Sequence, residues 1–131
     1  MIDAIAAIRE ILQADAPLVA KVGDRVHLQR LPEGHDFENQ AVVYSTRGGS
    51  TDLYVPFVRP SIQIQAWGKD SVAAQETYRL VHDALHDKSR ISVASGFLVF
   101  AFAEVFGQTL IDPDTKKPFV LAFFRAIFRK D

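Results

Sequence analysis

The chain has 131 residues, 15 basic and 16 acidic side chains, a formal net charge of −1 and no cysteine. The lack of cysteine excludes a disulfide framework and a thiolate metal site, and the near-neutral charge gives no electrostatic footprint for a nucleic acid or an anionic membrane. We expect no signal peptide and no membrane helix, because charges interrupt the first apolar stretch and the longest apolar run, 97–103, is too short. The length predicts a single domain over residues 1–131.

Two helices are predicted at the start of the chain. Isoleucines and leucine recur at helical spacing over residues 2–14, and Asp3 lies where the positive end of the helix dipole favours a carboxylate. Pro17 suits the first turn of a second, shorter helix, and Gly23 suits the position just after its end. We therefore expect a main helix followed closely by one of one or two turns.

Alternating apolar residues then predict two strands, over 25–31 and 41–46, separated by a polar loop. The segment 47–51 is expected to interrupt the second strand. Residues 52–60 are largely apolar, yet Pro56 and Pro60 argue against a central strand there. Two interpretations stay open: an edge extension leading into the next strand, or an arm that packs on a neighbouring subunit.

The clearest strand and helix of the chain follow each other directly over residues 61–87. Ile62, Ile64 and Ala66 alternate with polar or aromatic positions, which is the period of a half-buried antiparallel strand. Asp70 or Ser71 can act as the N-cap of a helix that then runs without glycine or proline to Asp87.

The C-terminal part predicts a long β-hairpin. A short strand over 91–93 is followed by strands over 97–108 and 119–129, and both faces of the last strand are largely apolar. The expected fold class is α+β: a twisted, mostly antiparallel sheet of four to five strands, with two main helices packed on one face and the long hairpin at the end. The other apolar face must be covered by the same chain or by another copy.

One histidine pair has the spacing of a helical metal site. His82 and His86 lie at positions i and i+4 of the predicted helix, and a metal-dependent hydrolase using them is an alternative function. However, Asp83 stands where zinc proteases have glutamate, and no third ligand follows. We expect solvent-exposed histidines, and therefore no metal, no cofactor and no catalytic residue.

A second alternative is a small nucleic-acid-binding α+β module. The segment 95–102 superficially resembles the aromatic strand of RNA-recognition domains. However, that pattern has a basic residue where Ser95 stands, a small residue where Leu98 stands and an aromatic residue where Val99 stands. We therefore interpret these phenylalanines as core or interface residues.

The chain as a whole resembles the tail completion (tail terminator) proteins of long-tailed bacteriophages and prophages. The resemblance is carried by Gly23-Asp24-Arg25-Val26 after the short helix, by Trp67 before an alanine-rich helix, and by Asp112-Pro113-Asp114-Thr115 at the hairpin turn. Such proteins are structural, not enzymes. They form a ring at the head-proximal end of the tail tube, stop tube polymerisation and join the tail to the head connector.

The resemblance implies a set of partners and a location. The expected partners are other copies in a ring of six, the tail tube protein and the head–tail connector protein, while DNA passes through the ring without being read and no membrane is involved. The expected location is the virion tail, reached from the host cytoplasm during assembly. For the contacts between subunits we expect contributions from five residues: Leu53, Tyr54, Phe57, Phe100 and Phe102.

Overall fold

A computed structural model describes residues 1–51 and 54–130. Its three helices are α1 (Ala4–Ala14), α2 (Ala16–Val22) and α3 (Ser71–Leu85). Its six strands are β1 (Val26–Leu28), β2 (Ala41–Thr51), β3 (Phe57–Trp67), β4 (Lys88–Val93), β5 (Gly96–Ile111) and β6 (Pro118–Lys130). The predicted α+β class is confirmed, but the expected four to five strands were too few.

All six strands form one sheet in the order β1-β2-β3-β6-β5-β4. β1 pairs with β2 in parallel, and the other four strand pairs are antiparallel. The predicted, mostly antiparallel sheet is therefore correct. The long hairpin places β6 beside the central strand β3 and leaves β4 at one edge of the sheet.

The helices begin where the sequence provides an aspartate. The carboxylates of Asp3, Asp15 and Asp70 accept first-turn backbone N–H groups at 3.0, 3.2 and 2.8 Å, which satisfies donors that a helix start leaves without a partner. Pro17 lies in the first turn of α2, and Gly23 ends that helix with a positive φ of 58°.

The main core lies between the helices and one face of the sheet. From α1 and α3 it receives Ile8, Leu12, Val81 and Leu85, all at most 2% exposed, and from β6 it receives alternate residues such as Phe124. All three helices contact one another or this face, as expected for the helices of the predicted two-layer arrangement.

The segment before the central strand was predicted wrongly. β3 begins at Phe57 and includes Pro60, although β3 lies inside the sheet between β2 and β6. The register of β2 against β3 shifts between Thr46 and Gly49, which marks a bulge in β2. Gly49, at the end of this bulge, pairs with Pro60, so the proline, which has no N–H to donate, lies where the ladder of hydrogen bonds is already irregular. For the same reason, the 47–51 segment continues β2 instead of interrupting it.

The hairpin is longer than predicted, and its first strand is irregular. β5 extends to Ile111, and its register against β6 shifts at three places. In the turn, the Asp112 carboxylate accepts hydrogen bonds from the Thr115 hydroxyl at 2.6 Å and the Thr115 N–H at 3.1 Å, and these bonds lower the pKa of Asp112. Among the described residues, no helix is long and apolar enough to cross a membrane.

Candidate interaction surface

The sheet has one face that the helices do not cover. Along β6, Val120, Phe124 and Phe128 are fully buried against the helices. The residues between them, among them Leu121, Phe123 and Ile127, point to the opposite face and stay half-buried. This alternation was predicted from the sequence, and it leaves a large apolar face to be explained.

The loop before β2 covers one end of this second face. Ala41, Val43 and Trp67 form a small cluster there with loop residues Leu31 and Phe37. The Trp67 ring stacks on Phe119 with centroids 4.7 Å apart, and Phe37 lies 5.8 Å from Trp67. The other end of the face has no such cover among the described residues.

Arginines and phenylalanines make up the uncovered end. We call it the arginine–phenylalanine face, consisting of Arg47, Phe57, Phe97, Phe100, Phe102, Phe123, Arg125 and Arg129. The Arg47 guanidinium lies 3.9 Å from the centre of the Phe123 ring, and that of Arg129 lies 5.9 and 5.8 Å from Phe57 and Phe97. Such stacking orients the guanidinium planes while leaving their N–H edges able to bind oxygen atoms.

A single carboxylate lies among these arginines. Glu104 forms ion pairs with Arg47, at 3.5 Å, and with Arg125. Arg47 also donates to the Ser61 hydroxyl at 2.9 Å, and Ser61 is only 3% exposed. Because Arg47 is held by a ring, a hydroxyl and a carboxylate, this part of the face is ordered before any partner binds.

Four of the five predicted contact residues can be located. Phe57 lies on the arginine–phenylalanine face, and Phe100 and Phe102 lie there with ring centroids 5.9 Å apart. Tyr54 is 92% exposed at the start of the segment that leads into β3. Leu53 lies outside the described residues. Their role as contacts between subunits stays a prediction.

The free edge of β5 is capped by α3. Beyond its pairing with β4, which ends at Ala101, the Ala103 N–H donates to His86 Nδ1 at 2.9 Å and the Gly107 N–H donates to the Tyr78 hydroxyl at 3.0 Å. Phe106, 79% exposed, packs edge-on against Tyr78. Side chains therefore occupy two of the backbone donors that a further strand would need.

The cap on β5 gives His86, one member of the histidine pair considered as a metal site, a structural role. The rings of His82 and His86 stack with centroids 4.7 Å apart, and Nδ1 of His86 already accepts a backbone N–H. No group of three potential metal ligands occurs within the described parts of the chain. The geometry therefore does not favour the hydrolase alternative.

A different histidine pair was missed at the sequence level. His27 on β1 and His35 in the following loop each have a shielded Nε2 without a hydrogen-bond partner among the described residues. Burial, and then the charge of His35, lower the pKa of His27, while burial and then Arg25 lower that of His35. Eight positions apart and on different elements, the two residues carry no spacing signal in the sequence.

No protein family and no curated protein sequence matches the chain at a significant level. Among solved structures, one chain of a structure described as the virion of a native gene transfer agent (GTA) particle matches with a TM-score of 0.68. The two chains share a fold. The match covers 92% of this chain and 90% of the other, at 19% sequence identity, so the likeness is one of architecture.

Proposed function

We propose that the chain is a tail completion protein of a bacteriophage or prophage. It assembles as a ring of six on the head-proximal end of the tail tube, stops tube polymerisation and joins the tail to the head connector. Its partners are further copies of itself, the tail tube protein and the connector protein. DNA passes through the ring without sequence reading, and the role is structural and not enzymatic.

The observation that carries the proposal is the fold shared with a chain of a gene transfer agent virion. The match extends over 92% of this chain, so the likeness concerns nearly the whole fold and not one element. The resemblance of Gly23–Val26 and of the Trp67 region to tail completion proteins supports the same role independently. Fold and sequence pattern thus favour one class of assembly protein.

The composition of the uncovered sheet face also supports a role in assembly. Cores of protein interfaces are enriched in aromatic residues and arginine and depleted in lysine and acidic residues. The arginine–phenylalanine face has this composition and its Phe102 is partly exposed, while Tyr54 exposes aromatic surface at the start of the segment that leads into β3. We propose Leu53, Tyr54, Phe57, Phe100 and Phe102 as contributors to the subunit contacts.

Tube polymerisation provides the direct test. Purified tail tube protein would be assembled with increasing amounts of this chain, and tube lengths and end structures would be measured by electron microscopy. We expect growth to stop at a few copies of the chain per tube end, with a ring visible at one end only. Tubes of unchanged length at a large excess of the chain would contradict the proposal.

A matched pair of variants makes the test specific. Phe102→Glu places a charge on the proposed contact face, whereas Ile111→Glu places one at an exposed apolar position near the hairpin turn. We expect Phe102→Glu to need much higher concentrations to stop the tube and Ile111→Glu to behave like the unmodified chain. Circular dichroism of both variants would verify that they are folded.

A further inference from the structure

Acidic and basic residues are distributed unequally between the two layers of the molecule, although the net charge of the chain is close to zero. The helical segments 1–24 and 69–87 contain eight acidic and four basic residues, whereas residues 88–130 contain seven basic and three acidic ones. Most of that second segment forms β4, β5 and β6. The helical layer is therefore acidic, and the strands of the C-terminal half are basic.

On the sheet side, three arginines lie on the arginine–phenylalanine face: Arg47, Arg125 and Arg129. Glu104 is the single acidic residue in β5 and β6, and it is engaged by Arg47 and Arg125. The Arg129 guanidinium, at the end of β6, lies 5.9 Å from the centre of the Phe57 ring and 5.8 Å from that of Phe97. The face thus presents oriented guanidinium groups together with half-buried rings, a combination that fits a protein surface bearing carboxylates.

On the helical side, the outward stripe of α3 offers such a surface. We call it the α3 ridge, which consists of Val72, Glu76, Arg79 and Asp83. Val72 is 76% exposed, and the Asp83 side chain is 82% exposed. Glu76 pairs with Lys21 at 3.2 Å, but both side chains are open to solvent, so this pair is readily exchanged for another.

Ring geometry distinguishes this ridge from the other acidic surface of the chain. In a ring, each subunit contacts its two neighbours through two different surfaces, so the two surfaces that meet must lie on different sides of the subunit. The α3 ridge belongs to the layer opposite the arginine–phenylalanine face. The acidic loop that carries Glu33, Asp36 and Glu38 covers the same sheet face instead, and its pairing would give a two-fold dimer.

We infer that the arginine–phenylalanine face of one subunit binds the α3 ridge of the next copy of this chain. The contact is heterologous, with oppositely charged and partly apolar surfaces from the two layers. This inference rests on the proposed ring and names the surfaces that build it. Electrostatic complementarity fixes the register and suppresses face-to-face pairing of like charges.

Charge exchange between the two surfaces tests the contact. One variant carries Phe102→Glu and Arg129→Glu on the face, a second carries Glu76→Lys and Asp83→Lys on the ridge, and a third carries all four changes. Mass would be followed by light scattering over a concentration series. We expect each two-site variant to weaken self-association by about a hundredfold, because like charges then meet, and the four-site variant to regain most of it.

A loop variant serves as the matched control. Glu33→Lys with Glu38→Lys reverses the same number of charges on the other acidic surface, and we expect its association to equal that of the unmodified chain. Dissociation by the loop variant but not by the ridge variant would replace the inference with a two-fold dimer. A face variant that loses binding to duplex DNA while its self-association is unchanged would replace it with a nucleic-acid surface.

The outcomes also separate this contact from the proposed function. An unmodified chain that stays monomeric at every concentration, or a four-site variant that stays as weak as its parents, overturns the contact even if the chain stops tail tubes. If self-association is lost in the two-site variants and regained in the four-site variant, but the chain has no effect on tube length, the contact is retained and the role in tail completion is overturned.

Discussion

The backbone N–H of Ala103 on β5 donates a hydrogen bond to Nδ1 of His86, the residue that ends α3, at 2.9 Å. The hydroxyl oxygen of Tyr78, two turns earlier in α3, accepts a hydrogen bond from the Gly107 N–H. Together these side chains occupy strand-edge donors that would otherwise be available to another chain.

We expect the two caps to protect their own amides separately. His86→Ala should accelerate hydrogen exchange at Ala103, and Tyr78→Phe should do so at Gly107, each by roughly fivefold for a lost hydrogen bond of about 1 kcal/mol. Residue-resolved exchange followed by NMR would measure this. Equal acceleration at both amides in either variant would mean that the whole edge opens as a unit.

The bulge in β2 makes a sharp prediction for two adjacent glycines. Both have positive φ, 95° at Gly48 and 134° at Gly49, but only at Gly49 would a Cβ overlap the backbone of Arg59 and Pro60. Gly49→Ala should therefore lower the free energy of unfolding by at least about 2 kcal/mol, and Gly48→Ala by about 1 kcal/mol. Urea unfolding of both variants would test the difference, and equal losses would contradict the assigned register.

A buried hydroxyl links α3 to the strand before it. Thr77 is fully buried; its Oγ1 donates toward the carbonyl oxygens of Trp67, at 3.2 Å, and Ala73, at 2.9 Å, and accepts from Gln40 Nε2 at 2.9 Å. Thr77→Val keeps the shape but leaves these groups with fewer partners, so we expect a loss of about 1–3 kcal/mol.

Thr109→Val is the matched control for that substitution. The Thr109 hydroxyl is exposed and accepts from Gln75 Nε2 at 2.7 Å, so its removal should change the free energy of unfolding by less than about 0.5 kcal/mol. Chemical denaturation of the two variants side by side is sufficient. Similar losses of unfolding free energy in the two variants would show that burial of the Thr77 hydroxyl does not increase its contribution to stability.

The pair His27 and His35 predicts a pH-dependent stability. Each pKa is lower in the folded chain than the 6.5 of a free histidine, so the unfolded chain binds protons first as the pH falls. The stability that the two neutral histidines contribute is fully present above about pH 6.5 and is lost as the pH falls through their lowered pKa values. Urea titrations between pH 8 and pH 5 should show declining stability over that window.

The variant His27→Gln with His35→Gln should flatten this part of the pH profile. A profile that stays equally steep without His27 and His35 would assign the effect to other groups, such as the carboxylates that titrate at lower pH.

The sequence predicted those features that depend on neighbouring residues. The N-cap at Asp70 and the alternation along β6 follow from local hydrogen bonding and spacing, and both were correct. The prediction for Pro60 was wrong because proline is excluded from an unbroken ladder of hydrogen bonds inside a sheet, whereas here a bulge in the partner strand β2 interrupts that ladder. That bulge requires a close approach between segments ten residues apart, which has no local signature.

The candidate surface could be predicted only in part. Its phenylalanines were recognisable as apolar residues on a second face, but the stacking of Arg47 on Phe123 joins residues 76 positions apart in the chain. The same holds for the ion pairs of Glu104. Composition alone gave a net charge near zero, because opposite charges in the two layers cancel in a sum that ignores position.

The capped edge of β5 has a consequence for the identity of partners. Pairing through a strand edge uses backbone groups that all proteins have in common, so it discriminates poorly between related chains. With Ala103 and Gly107 engaged by α3, that part of β5 is directed toward contacts through side chains, which differ from one protein to another. Two related proteins of this fold made in the same cell can therefore diverge at a few surface positions and bind separate partners.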